Sequence, residues 1–204
     1  MTEGDDVVQA AAERAQHTRW RNIPQLDGLP VPGDTANLRA GPSLHDACLA
    51  LLPLVGVWRG DGQVDYPTID GPRSFAQQIT VAHDGRPFLF HEARSWLVDD
   101  DGNVIRPAAR ETGWWRPQED GTVELLLAHN TGILEVFYGT TRTQTSWELA
   151  TDAVVRTMSA KEVAGAKRLY GIIGDGDLGY VEERAMVGQS LQPHTSARLQ
   201  RVVG

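Results

Sequence analysis

Glycine and proline punctuate this chain from end to end: 21 glycines and 11 prolines among 204 residues, scattered rather than periodic. Such punctuation cuts a chain into many short elements and favours an all-β fold, and its lack of period excludes collagen-like and low-complexity readings. The side chains between the breaks agree. In residues 74–82, Phe75, Gln77, Ile79 and Val81 share one face, the period-2 alternation of a half-buried strand. Further strands are predicted over 87–98, 111–116, 122–129, 133–138, 144–150, 153–158, 167–173, 178–186 and 195–202. Asp99–Asn103 reads as a turn, and residues 118–121 (QEDG) as a hairpin loop. With a first strand around Gly56–Gly62, the count is about ten, at the ~8–12-residue spacing of a sandwich or barrel. No βαβ rhythm appears, and consecutive hairpins favour an up-and-down antiparallel barrel, which closes on itself and leaves no edges. A barrel of about ten strands is wide enough to enclose a small ligand.

The first 43 residues differ. Residues 5–17 are rich in helix formers with acidic residues leading, and predict one short helix. From Trp20 to Pro53 the chain carries Pro24, Pro30, Pro32, Pro42 and Pro53, which excludes a continuous helix or central strand. Residues 1–43 are therefore read as a mostly irregular extension, partly ordered because Trp20, Ile23, Leu26 and Leu29 need cover. Residues 44–204 are the barrel. Residues 43–52 read as a helical lid or plug, with Ser43 as N-cap and Asp46 at the third helical position. Residues 159–165 read as a helical turn with a capping box, Ser159 and Glu162.

Charge and cysteine content narrow the function. The net charge is −8, which argues against nonspecific nucleic-acid or membrane-surface binding. Cys48 is the one cysteine, so an intrachain disulfide or a Cys-rich zinc site is excluded. No apolar run approaches the ~20 residues of a membrane span, and the acidic start is unlike a secretory signal. A soluble cytoplasmic protein is expected. Most acid–base or metal chemistry falls to six histidines. No G-x-S-x-G elbow or metal-spaced His pair supports a hydrolase.

The strongest local motif is Gly56-Val57-Trp58-Arg59-Gly60-Asp61-Gly62. Glycines around a tryptophan permit tight bending and close backbone approach, with Trp58 plugging one barrel end. The motif alone also opens lipocalins and fatty-acid-binding proteins. It is followed in order by Tyr66-Pro67-Thr68-Ile69, Val81-Ala82-His83-Asp84-Gly85-Arg86-Pro87, Glu111-Thr112-Gly113-Trp114-Trp115, Ala128-His129-Asn130-Thr131-Gly132, Ala160-Lys161-Glu162-Val163 and Val187-Gly188-Gln189-Ser190-Leu191-Gln192-Pro193-His194. Over residues 44–204 the chain resembles the nitrobindin family, small haem-binding β-barrels with peroxynitrite isomerase activity. The resemblance implies a ten-stranded, lipocalin-like barrel holding one ferric haem b per subunit in its mouth.

The resemblance also points to site residues. The family's axial histidine precedes the last strand, and His194 matches it; Pro193 fixes φ just before it. Thr68 matches a threonine near the haem, or is a turn residue after Pro67. Lys167 meets a haem propionate, or is a solvated charge. His129 shares parity with Leu125 and Leu127 and lines the distal side, or is a satisfied barrel histidine. The chain departs from the family at Pro107-Ala108-Ala109-Arg110, where some members carry a histidine, so an apolar distal side is expected. His83 reads as structural, and His17 and His45 receive no role. The implied activity is conversion of peroxynitrite to nitrate, with nitric oxide binding. The alternatives are a haem-based nitric oxide carrier or sensor without turnover, and a lipocalin-like barrel for an apolar ligand. Oligomeric state is not legible in the sequence; a homodimer is carried forward as a partner state.

Overall fold

The computed structural model describes residues 3–18 and 33–204. The chain divides into two compact units, Met1–Gly33 and Asp34–Gly204. The first holds α1 (Glu3–Thr18), the helix expected from residues 5–17. The partial order expected from Trp20, Ile23, Leu26 and Leu29 lies outside the described residues.

The second unit is a closed antiparallel barrel of ten strands. They are β1 (Gly56–Val64), β2 (Arg73–Ala82), β3 (Leu89–Val98), β4 (Val104–Pro117), β5 (Thr122–His129), β6 (Ile133–Thr143), β7 (Ser146–Arg156), β8 (Val163–Ile173), β9 (Asp177–Met186) and β10 (Gln192–Val203). Each pairs with its sequence neighbour, and β1 pairs with β10 to close the wall. This is the all-β, up-and-down architecture that alternation and punctuation predict.

The strand boundaries differ from expectation where the backbone bulges. β4 begins at Val104, well before residue 111. Pro107 hides that start in the sequence, and it is tolerated because the β3–β4 register shifts between Arg94 and Trp96. The strands expected at 144–150 and 153–158 are one strand, β7; the β6 register jumps from Ala153 to Thr151, leaving Asp152 as the extra residue of a bulge. The helical turn expected at 159–165 is absent. Ala160 N–H closes a tight turn on Thr157 O (3.1 Å), and Glu162 O accepts from Val187 N–H (2.9 Å), so ladder pairing overrides the capping box.

One barrel end is plugged. The helical plug expected at 43–52 with Ser43 as cap is a 3₁₀ helix over Asp46–Leu54. Its apolar residues explain this: Cys48, Leu51 and Leu54 recur every three residues and are all buried, and Pro53 has no N–H for an α-helical bond. The cap is His45, whose Nδ1 accepts from Ala47 N–H (3.1 Å). Trp58 Nε1–H donates to Leu54 O (2.9 Å) and Trp147 Nε1–H to Ala50 O (3.1 Å). Arg201 stacks on Trp58 at 4.1 Å and donates to Val55 O and Pro53 O. Above the plug lie the buried Trp58, Trp115, Trp147, Phe137, Leu89, Leu125, Leu149 and Leu199. Trp58 thus plugs the barrel, as the motif predicted.

The motif glycines have a specific cause. A Cβ on Gly62 would overlap the Phe75 ring and the Ser196 carbonyl oxygen, and one on Gly60 would overlap Arg198 O. Only glycine lets Phe75 lie flat across β1 and form the barrel wall there.

Candidate functional site

The mouth half of the barrel encloses a cavity of about 540 Å³. Phe75, Ile79, Ala93, Leu97, Ile133 and Met186 give it apolar walls. Ala108 and Ala109 line it too, so the segment lacking a histidine presents small apolar groups. A depression of about 930 Å³ elsewhere on the barrel, bordered by Leu169, Ile173 and Val181, contains no histidine.

His194 lines the cavity from β10, and a β-bulge puts it there. The β9–β10 register shifts between Pro193 and Thr195, so His194 is the unpaired extra residue and both His194 and Thr195 reach the cavity. Bulges commonly re-aim a side chain in this way. His194 Nδ1–H donates to Glu182 Oε1 (2.9 Å), and its ring meets the Tyr66 ring edge-on at 5.4 Å. Its backbone O accepts from Asp65 N–H (2.9 Å). Nε2 has no hydrogen-bond partner among the described residues. The imidazole is held on one nitrogen and open on the other, as a metal-ligating histidine requires.

Around the cavity runs a closed circuit of charged contacts. Glu111 pairs with Arg168 (2.8 Å), Arg168 Nε with Glu182 (2.6 Å), Glu182 with Arg184 (2.9 Å), and Arg184 with Glu135 (3.0 Å). His129 completes it, with Nε2 2.8 Å from Glu135 and Nδ1 3.5 Å from Glu111. His91 joins from below: Trp115 Nε1–H donates to its Nδ1 (3.3 Å), and its Nε2 faces Glu111 (3.1 Å). Burial pushes the three carboxyls up, but the neighbouring arginines and histidines overcome it. Glu111 and Glu182 are held well below the ordinary carboxylate range, and Glu135 below it. Arg168, buried between Glu111 and Glu182, is correspondingly raised. Burial also pushes Tyr170, which accepts from Arg168, up to about 12.

The expected site residues fall in different places. His194 and His129 both line the cavity, His129 with the parity of Leu125 and Leu127. Thr68 is exposed in the turn after β1 and does not line it; Tyr66, two residues earlier, is the member of that segment that touches His194. Lys167 points outward, because Ala166 and Arg168 hold the inward positions of β8. It borders a second groove with Glu148 and Glu183, which His194, Glu182 and Arg168 also line. Lys161, on the turn before β8, lines the cavity instead.

Sequence reasoning missed Glu111, Glu135, Arg168, Glu182 and Arg184. A signal existed: Glu182 and Arg184 share parity with Tyr180 and Met186, and Arg168 with Ala166 and Tyr170. Charges on an otherwise buried face must be paired there.

The cavity fits haem on its own features: apolar walls for a macrocycle, a histidine with one open ring nitrogen, and Lys161 on its border. Comparison with known proteins agrees. The model of the THAP4-like, heme-binding beta-barrel domain matches residues 47–201. A ferric nitrobindin-like protein of Saccharopolyspora erythraea is 59% identical, covering 98% of this chain and 95% of that protein. Peroxynitrite isomerase 1 of Mycobacterium marinum is 57% identical, over 98% and 93% respectively. The crystal structure of Rv2717c from M. tuberculosis superposes with a TM-score of 0.69 at 39% identity, covering 78% of this chain and 99% of that one. On its fold, its cavity and these similarities, the chain belongs to the nitrobindin family of THAP4-like, haem-binding β-barrels.

Proposed function

We propose that this protein is a ferric haem b enzyme that isomerises peroxynitrite to nitrate and also binds nitric oxide. The observation that carries it is His194: an imidazole fixed through Nδ1, open at Nε2, on the wall of a cavity that is part apolar and part lined by paired charges. Relatives named peroxynitrite isomerase, 54–57% identical over nearly the whole chain, support the activity. His194 would hold the iron through Nε2. Phe75, Ile79, Leu97, Ile133 and Met186 pack the macrocycle and keep water from it. Lys161, on the border of the cavity, is the propionate partner in this reading; Lys167 borders the neighbouring groove that His194 also lines. When bound, ferric haem would supply a Lewis-acidic iron for a small ligand; the protein's levers on it are the ligating histidine, the polarity of the cavity and access. Ala108 and Ala109 leave that access wide. His129, engaged with Glu111 and Glu135, serves as part of the wall.

Residues 44–204 are the haem-binding barrel in this reading, a span that contains the family match over 47–201, and 1–43 precede it, although residues 34–43 fall in the same compact unit as the barrel. No described helix is long and apolar enough to cross a membrane, and the acidic chain suits the cytoplasm. A homodimer is supported by the outer face of β4–β7, where Trp114, Leu134, Tyr138 and Val155 stand exposed together.

Reconstitution tests the reading. The loaded protein shows a ferric Soret band, a nitrosyl shift and peroxynitrite decay to nitrate faster than free haem, and His194→Ala loses all three. A normal Soret band with full decay in His194→Ala overturns the assignment of His194. Decay no faster than free haem overturns catalysis and leaves a nitric oxide carrier. No Soret band in the wild type overturns haem binding and leaves an apolar-ligand barrel.

A further inference from the structure

The buried charges ring the cavity, and one of them touches the proposed axial ligand. Glu182 is almost fully buried, and each of its oxygens is engaged. Oε1 accepts from His194 Nδ1–H (2.9 Å) and from Arg184 Nε–H (2.9 Å). Oε2 stands 2.6 Å from Arg168 Nε and 3.4 Å from Arg184 Nη2. Among the described residues, no other side chain accepts from the His194 ring.

We propose that Glu182 is a positioning residue for the axial histidine: its carboxylate fixes the Nδ1–H tautomer of His194, presents Nε2 to the iron and sets how strongly the imidazole donates. The proposal rests on the reading of His194 as the iron ligand. A carboxylate behind a ligating histidine orients the ring and raises its basicity, and losing such a partner typically costs about 10- to 100-fold in metal affinity. Here the carboxylate is shared. Arg168 and Arg184 withdraw charge from the same two oxygens that hold the imidazole proton. Glu182 therefore holds that proton without taking it, and the ligand remains a neutral imidazole of moderate strength. Tyr66 contributes from another side, its ring edge-to-face with His194 and its hydroxyl donating to Arg184 O (2.8 Å). The bulge, the tyrosine and the carboxylate together leave the ring one orientation.

Two measurements test this. In the ferrous haem protein, Glu182→Gln lowers the iron–histidine stretching frequency seen by resonance Raman, because an amide oxygen draws less on Nδ1–H than a carboxylate. The same variant binds haem about 10- to 100-fold more weakly. Glu182→Gln also breaks a buried charge circuit and can fail to fold, so the second measurement leaves Glu182 in place. In His194→Gly, added imidazole refills the position and restores the spectrum. 1-Methylimidazole, which ligates through one nitrogen and cannot donate through the other, restores it at least about tenfold more weakly, the worth of a hydrogen bond to a charged acceptor. Equal rescue by both bases, or an unshifted stretching frequency in a folded Glu182→Gln protein, overturns the role of Glu182 and leaves His194 as ligand. A wild-type spectrum in His194→Gly without added base overturns the ligand assignment itself, and the proposal with it.

Discussion

Tyr66 stands edge-on to His194, ring centroids 5.4 Å apart and planes at 89°, while its hydroxyl ties the loop after β1 to β9. That hydroxyl donates to Arg184 O (2.8 Å) and accepts from Met186 N–H (3.0 Å). One side chain thus braces the candidate iron ligand and closes two backbone groups that burial would otherwise leave unsatisfied.

Tyr66→Phe separates these roles. The ring stays against His194, but the buried Met186 N–H loses its partner, which costs about 1–3 kcal/mol. The expected outcome is a lower denaturation midpoint with an unshifted Soret band. Tyr66→Ala removes the ring as well, and is expected to weaken haem binding in addition. Urea denaturation and haem titration on the two variants check this.

Gly62 is the motif position with the least room. A methyl group there would overlap both Phe75 and the Ser196 carbonyl oxygen, and the carbonyl belongs to the paired backbone of β10. Gly62→Ala is expected to cost about 1–3 kcal/mol, the range for overpacking. It is also expected to push Phe75 into the cavity it lines and so weaken haem binding. Gly71 has open space beside it, but its φ of +72° strains any side chain. Gly33→Ala, with no such strain and nothing nearby among the described residues, is the neutral control.

The buried carboxylates make the barrel acid-sensitive. Glu111, Glu135 and Glu182 titrate below their ordinary value of 4.5 in the folded state. Their ionised pairing therefore stabilises the fold at any pH above about 4.5. That contribution is lost as pH falls below 4.5 towards the folded values, because the unfolded chain takes up the protons first. Stability measured by denaturant is expected to be flat in this respect from pH 7 to about 5 and to drop steeply below. Each carboxylate contributes a slope approaching 1.4 kcal/mol per pH unit in that window. A folded Glu135→Gln variant is expected to be less stable at pH 7 and to show a shallower acid limb.

The barrel was legible because its physics is local. A wall with one wet and one buried face forces alternation, and tight hairpins force glycine, so Phe75, Gln77 and Ile79 declare β2 without reference to any other strand. Bulges were not legible: Asp152 and Pro107 look like strand ends until the neighbouring strand shows them absorbed into a register shift. The charged circuit was hidden for a related reason. Glu111 and Arg168 lie 57 residues apart and meet only once the barrel closes. Parity also separates the two lysines by the face they occupy. Lys167 follows the inward Ala166 and so faces out, a distinction its distance from the motif does not carry.

Lys161 and Lys167 therefore make a paired experiment. Both are exposed, six residues apart in sequence, but only Lys161 borders the cavity. A lysine reaching a haem carboxylate at a wet rim contributes the modest energy of an exposed ion pair, about 0.2–1 kcal/mol. Lys161→Ala is accordingly expected to weaken haem binding by up to about fivefold, and the loss is expected to shrink with added salt, since exposed charges are screened within a Debye length. Lys167→Ala, whose side chain borders the second groove and not the cavity, is expected to leave haem affinity unchanged at any salt. Transfer of haem to a competing apoprotein, followed at low and high ionic strength, measures both. Equal losses in the two variants would mean that the propionates do not meet Lys161 and that the lysines act only through the net charge of −8 that each substitution makes more negative.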